Sequence, residues 1–240
     1  MLTLPSVALA ELIAEPLDFV WIDLEHGALD TGDVQPLAVA ARAAGCASLV
    51  RVPSSDCPRV GAVLDAGVDG LVAPRVESAA QARRLVDRLR HPPRGSRGFA
   101  ARRAGGYGRP DAALVASDPL CLAQIESDAG VEAAGEIAAV EGVDALVVGC
   151  ADLALALDGT LEPLSQRLQD AVAHVQRAAA ANGIASGIAG PDDPQLLHEL
   201  AGAASTLLVC SADVRLYARA VDELVTRVRA PVREGLGVGA

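Results

Sequence analysis

The chain has 240 residues, a formal net charge of −11 and a hydrophobic fraction of 51%, of which aromatics contribute little, at 2% of the chain. Such an acidic balance argues against nucleic acid or an anionic membrane as partner, and no apolar run of about 18 residues offers a spanning helix. All twenty basic residues are arginine, which excludes a Schiff-base lysine, a pyridoxal phosphate linkage and a lysine-dependent phosphate loop.

The N-terminus lacks a basic leader, and Glu11 and Glu15 interrupt its apolar stretch, so no secretory signal is expected. The five cysteines, at 46, 57, 121, 150 and 210, are scattered and form no CxxC. A disulfide framework and a zinc knuckle are therefore not expected, and a reduced, cytoplasmic setting fits.

In chain order, Leu2 to Leu4 reads as a short first strand, and Ser6 opens the first helix. Phe19 to Ile22 is an apolar strand that ends in Asp23, Glu25 and His26, with Gly27 freeing the backbone. Thr31 opens the second helix. Gly45 then returns the chain to a strand at Ser48-Leu49-Val50, which ends in Arg51 and Pro53. Asp56 before Pro58 marks a third helix. Gly67 precedes the strand Gly70 to Ala73, and Ser78 opens a helix to Arg90.

Residues 91–109 break the rhythm with a Gly-, Pro- and Arg-rich loop carrying Arg94, Arg97, Arg102, Arg103 and Arg109. Such arginines suit an anionic ligand, an acidic partner surface or plain solvent. The pattern resumes with strands at Leu120 to Ile125 and Ala145 to Val148. A helix from Ser165 to Ala181 separates these from strands at Ile184 to Ile188 and Thr206 to Val209. A last helix runs from about Asp213 to Arg229. Short apolar strands alternating with helices predict a parallel sheet covered on both faces. About eight such units favour a (β/α)8 TIM barrel, formed as a single domain over residues 1–240.

In such a barrel the chemistry gathers at the C-terminal ends of the strands. Gln124 and Glu126, two apart, share a face. Glu126 and Asp152 come from neighbouring strand ends, and two facing carboxylates repel unless a cation lies between them. A hard divalent ion satisfies that pair; helix capping is the simpler use of each carboxylate. Arg51 is rooted near the core and needs an anion, either a ligand or Asp23 or Glu25. His26 alone among four histidines stands at a strand end beside carboxylates, where acid–base work is possible. Trp21 reads as core.

Five pieces in order resemble the HpcH/HpaI aldolases: Asp23-Leu24-Glu25-His26-Gly27, Arg51-Val52-Pro53, Pro92 to Gly98, Gln124-Ile125-Glu126-Ser127 and Gly149-Cys150-Ala151-Asp152-Leu153. The resemblance covers nearly the whole chain from about Phe19. It implies a (β/α)8 barrel that cleaves a 4-hydroxy-2-oxo acid to pyruvate, or a related 2-oxo acid, and an aldehyde through a metal-stabilised enolate. Glu126 and Asp152 would bind Mg2+, Mn2+ or Co2+. Arg51 would stabilise the enolate oxygen. His26, oriented by Asp65, would handle protons, with Asp23 supporting that corner. Gln124 would orient the donor, and backbone amides at Ala151 and Asp152 would hold its carboxylate. A hexamer or other homo-oligomer with an exchanged C-terminal helix is also implied.

Three departures stand out: Cys150 replaces a proline, Ala154 replaces a serine, and the segment after Ile188 is short. The first strand is incomplete as well. A citryl- or malyl-CoA-type lyase of the same fold is one alternative. A barrel that binds a small 2-oxo acid with weakened catalysis is another.

Overall fold

The computed structural model describes residues 1–109 and 118–230. Seven parallel strands lie in sequence order in one nearly closed, barrel-like sheet. They are β1 (Phe19–Asp23), β2 (Ala47–Arg51), β3 (Gly70–Ala73), β4 (Leu120–Ile125), β5 (Ala145–Gly149), β6 (Ala185–Ala189) and β7 (Leu207–Val209). The helices are α1 (Val7–Ala14), α2 (Thr31–Ala43), α3 (Val60–Asp65), α4 (Ala79–Leu89), α5 (Asp128–Glu132), α6 (Ala134–Ala138), α7 (Cys150–Asp158), α8 (Gln166–Ala181), α9 (Pro194–Ala201) and α10 (Asp213–Arg229). None of the described helices is long and apolar enough to cross a membrane.

The expected first strand is reduced to a single bridge between Leu2 and Ile22. Its Leu2 N donates to Trp21 O at 2.8 Å, and Asp23 N donates to Leu2 O at 3.0 Å. The ladder stops there because the next amides turn elsewhere. Thr3 N and Leu4 N donate to Asp213 Oδ2 at 2.9 and 3.0 Å. Pro5 then supplies no amide. On the other side Met1 N donates to Ser211 O at 2.6 Å, and Asp213 N donates to Met1 O at 3.0 Å. The N-terminal segment thus fills the gap between β7 and β1.

Two apolar layers hold the fold. The larger lies between the sheet and its helices and includes Val20, Ile22, Val50, Leu71, Ile125, Leu146 and Val148. The smaller fills the barrel with Trp21, Leu49, Val72, Leu122, Val147 and Val209. Alternation along each strand sends odd and even residues to these two layers. Trp21 is 1% exposed at the centre of the inner layer; truncating it to alanine would cost roughly 3–5 kcal/mol.

Several helix starts follow the sequence reading. The hydroxyls of Ser6, Ser78 and Ser165 each accept a first-turn amide, and so does Ser127 at the start of α5. Two starts differ. Asp30, rather than Thr31, caps α2 in a reciprocal pair with Asp33. Asp56 caps nothing: α3 begins only after Arg59, and Asp56 lies 3.6 Å from Arg84.

The arginine-rich loop is pinned to its own chain. Arg94 donates to Asp118, Arg97 lies 3.4 Å from Asp65, and Arg103 donates to the carbonyls of Ala66 and Gly67.

Candidate active site

The inner apolar layer is capped by a polar one. Asp23 follows Trp21 by two residues, Arg51 follows Leu49, and Gln124 follows Leu122, so each continues the inward face. Asp23, Arg51, Gln124 and Glu126 are all buried, at 5% exposure or less.

Asp23 and Arg51 are register partners across β1 and β2. Arg51 Nε donates to Asp23 Oδ1 at 2.8 Å and Nη2 donates to Oδ2 at 2.7 Å, a two-pronged fork of charged hydrogen bonds. Burial pushes the Asp23 carboxyl up, but these bonds and the guanidinium charge outweigh it and hold the carboxyl below its usual range. The guanidinium carbon stands 5.7 Å from the centroid of the Trp21 ring, within cation–π reach. The sequence left the choice of anion for Arg51 open; the structure gives it two. Its Nη1 lies 3.1 Å from Glu25 Oε2, a charge contact without directed hydrogen-bond geometry.

Glu25 also approaches His26, with Oε2 at 3.7 Å from Nε2. Burial raises the Glu25 carboxyl above its ordinary value, and the charges of Arg51 and His26 only partly offset this. His26 projects into the mouth with its side chain 60% exposed.

Glu126 follows β4 directly. Its Oε2 accepts Arg75 N at 3.1 Å, while Oε1 is buried without a partner. Burial, and then the charges of Glu25 and Asp152, push its carboxyl up to about 7. Gly149 makes the space: a Cβ there would collide with Glu126 Oε1 and lie 2.7 Å from Gln124 Nε2. Asp152 sits in the first turn of α7. Arg75 joins the two acids. Its amide serves Glu126 and its Nη2 lies 3.7 Å from Asp152 Oδ1. Its backbone is left-handed, at φ 52°, a strained choice for a side-chain-bearing residue that is common at functional sites.

Among the described residues no three His, Cys, Asp or Glu side chains form a complete metal cage. A Mg2+-like ion does not need one, because it keeps waters and takes one or two carboxylates plus substrate oxygens. The orphaned, buried Oε1 of Glu126, on a carboxyl that feels the charge of Asp152, fits such an ion. Gln124 Oε1 is likewise buried and unpartnered. A cavity of about 190 Å3 opens over this layer, lined in part by His26, Arg51, Gln124, Gly149, Ala151 and Asp152.

One expected member is elsewhere. Asp65 ends α3 at the N-terminal edge of the sheet, near Asp69, whose carboxylate accepts from Ser48 at the start of β2. Within one chain it pairs with Arg97 and does not reach His26. Sequence reasoning left Glu25 without a role and missed the parts played by Gly149 and Arg75. A glycine closing an apolar strand, and an arginine just after Ala73-Pro74 at a strand end, were the available signals.

A family model described as HpcH/HpaI aldolase/citrate lyase matches residues 5–218. The hydroxypyruvate/pyruvate aldolase of Paraburkholderia phytofirmans is 39% identical over 95% of this chain and 91% of its own length. The 4-hydroxy-2-oxovalerate aldolase of Novosphingobium aromaticivorans is 33% identical over 99% of this chain and 92% of its own. The crystal structure of an HpcH/HpaI aldolase/citrate lyase family protein from Burkholderia cenocepacia superposes with a TM-score of 0.87 at 33% identity, covering 95% of this chain and 93% of that one. With the matched model spanning most of the chain and the carboxylates, arginine and histidine gathered at one barrel mouth, the chain belongs to the HpcH/HpaI aldolase/citrate lyase family.

Proposed function

We propose that this chain catalyses the divalent-metal-dependent, reversible aldol cleavage of a 4-hydroxy-2-oxo acid to pyruvate, or a related 2-oxo acid, and an aldehyde. The observation that carries this reading is the buried, unpartnered Oε1 of Glu126, whose carboxyl is pushed up by burial and then by the charges of Glu25 and Asp152, near the buried guanidinium of Arg51. Cleavage leaves the electron pair of the broken C3–C4 bond on the 2-oxo acid as an enolate. A chain without lysine must meet that charge electrostatically.

Glu126 and Asp152 would hold the ion, which supplies Lewis-acid polarisation of the keto group when bound. Arg51, locked by Asp23, presents a fixed cation to the developing enolate oxygen without reorganising. His26 Nε2, beside Glu25, takes the proton from the 4-hydroxyl as the bond breaks, and the imidazolium so formed returns it to the freed C3. Gln124 orients the donor from the buried floor. The first-turn amides of α7, at Ala151 and Asp152, suit the donor carboxylate, because Gly149 caps this helix without a side chain. The Trp21 layer beneath keeps water from the floor.

Self-association is part of the same reading. From Val214 to Arg229 every residue of α10 is exposed, including Leu216, Tyr217, Val221, Leu224, Val225 and Val228. An apolar helix face of this kind suits a second copy of the chain. Orientation of His26 by Asp65 would require such a copy; within the chain, Glu25 is the carboxylate beside His26.

The test is pyruvate release from a 4-hydroxy-2-oxo acid, read through lactate dehydrogenase, with Mn2+ and with EDTA. Release that needs Mn2+ supports the reading. Cleavage of a malyl- or citryl-CoA ester, with none of the free acid, would move the chain to that other lyase class.

A further inference from the structure

Arg75 is a cation that the chemistry above leaves unused. It follows β3 just after Pro74, with a left-handed backbone at φ 52°. That conformation lets one residue serve both carboxylates at the mouth. Its amide donates to Glu126 Oε2 at 3.1 Å, and its Nη2 lies 3.7 Å from Asp152 Oδ1. The two contacts differ in kind. The amide holds Glu126 whatever side chain follows. The guanidinium brings a full positive charge to Asp152.

Arg75 does not line the cavity over the two acids. It lines a neighbouring groove with Glu25, Ser54, Ser55, Glu77 and Gln81. There the Glu77 carboxylate is engaged by Ser127 Oγ, which donates to it at 2.7 Å. The side chain of Arg75 is 65% exposed, so it acts on the cavity through its charge and not through contact.

The charge balance gives that action a sign. Asp23, Glu25, Glu126 and Asp152 are met by Arg51 and Arg75. A divalent ion brings these groups to neutrality, and a donor carboxylate then meets no net charge. With Arg75 neutralised, the loaded site carries one net negative charge and repels that carboxylate. The ion feels the reverse. A guanidinium beside Asp152 opposes a dication on the same carboxylate, so removing it favours the metal.

We propose that Arg75 is a positioning residue that acts by charge: it weakens the hold of Glu126 and Asp152 on the divalent ion and strengthens the hold of the loaded site on the anionic 2-oxo acid. This rests on the metal-dependent aldolase reading of the site. The experiment is calorimetric titration of Mn2+ into the full chain freed of metal, then of oxalate, a planar dianion shaped like the pyruvate enolate, into the Mn2+-loaded chain. Arg75→Gln removes the charge and keeps a side chain of similar length on the same left-handed backbone. It should bind Mn2+ about three- to tenfold more tightly and oxalate about three- to tenfold more weakly, with both differences shrinking in high salt. Arg75→Lys should stay within about twofold of the wild type for both. Two constants that move in the same direction would give Arg75 a merely structural role and overturn the proposal. Either constant left unchanged, or a Lys variant that behaves like the Gln variant, would do the same. A wild type that binds no Mn2+ would overturn the metal-dependent reading and this one with it.

Discussion

A β-carbon on Gly149 would collide with Oε1 of Glu126, and it would lie 2.7 Å from Nε2 of Gln124. The last residue of β5 is thus bare because β4 sends two polar side chains across it. Gly149→Ala must move Glu126, Gln124 or the strand itself. The expected result is Mn2+ affinity lowered roughly ten- to hundredfold, the range seen when groups that support metal ligands are changed. Calorimetric titration with Mn2+ checks it; unchanged affinity would mean that Glu126 is not a ligand.

Arg51 neutralises the buried Asp23 and the partly buried Glu25 at once. Arg51→Gln leaves Asp23 and Glu25 without their cation, which should cost about 3–5 kcal/mol of stability. Turnover should fall about a hundredfold or more, because the charge that meets the enolate is gone. Urea unfolding of Arg51→Gln against the double variant Arg51→Gln/Asp23→Asn separates the two effects. The double variant should regain much of the stability and none of the turnover.

The metal-free protein should lose stability as pH rises toward neutrality. The Glu126 carboxyl sits at about 7 in the fold, against an ordinary 4.5. Between those values the folded chain holds a proton that the unfolded chain releases. The contribution is therefore fully present below about 4.5 and is lost as pH rises through about 7; the gap corresponds to about 3 kcal/mol. Asp23 works in the opposite sense: its lowered carboxyl adds stability above 3.8 that disappears as pH falls through its folded value. Thermal unfolding in EDTA at pH 5 and pH 8 should show a larger drop for the wild type than for Glu126→Gln. Parallel drops would mean that Glu126 is not the group that titrates.

The exposed face of α10 predicts assembly. Leu224 is 61% exposed and Val228 75%, both on a helix that buries only Asp213. Leu224→Asp with Val228→Asp should shift the sedimenting species to a smaller one and leave circular dichroism little changed. An unaltered sedimentation coefficient would place the contact elsewhere.

Much of this site is legible along the chain because parallel strands deliver side chains by parity. Asp23, Arg51 and Gln124 each follow an inward apolar residue by two, and their convergence needs only the barrel. Glu126 follows from the same rule, and Asp152 from its place in the first turn of α7, just past the neighbouring strand end. What the chain order hides is contact across loops. Arg75 acts through a left-handed backbone, which its residue type does not announce. Asp192 and Arg215 meet across 23 positions, bringing a loop and a helix together. The loop arginines were legible as cations, but their partners, Asp65 and Asp118, were not. The first strand shrank for a reason equally remote: Asp213, at the other end of the chain, captures the amides of Thr3 and Leu4.

On the proposed reading, Glu126 and Asp152 hold a divalent ion and a pyruvate-like donor bound there loses a methyl proton. The most direct measurement is methyl-proton exchange of pyruvate in D2O by NMR, with Mn2+ pre-loaded at catalytic level or with Mg2+, against EDTA, for the wild type and Glu126→Ala. Exchange in the wild type should stop in EDTA, return with added metal and be absent in Glu126→Ala. Exchange that survives EDTA, or that is absent from the wild type with every divalent ion tried, would contradict that reading.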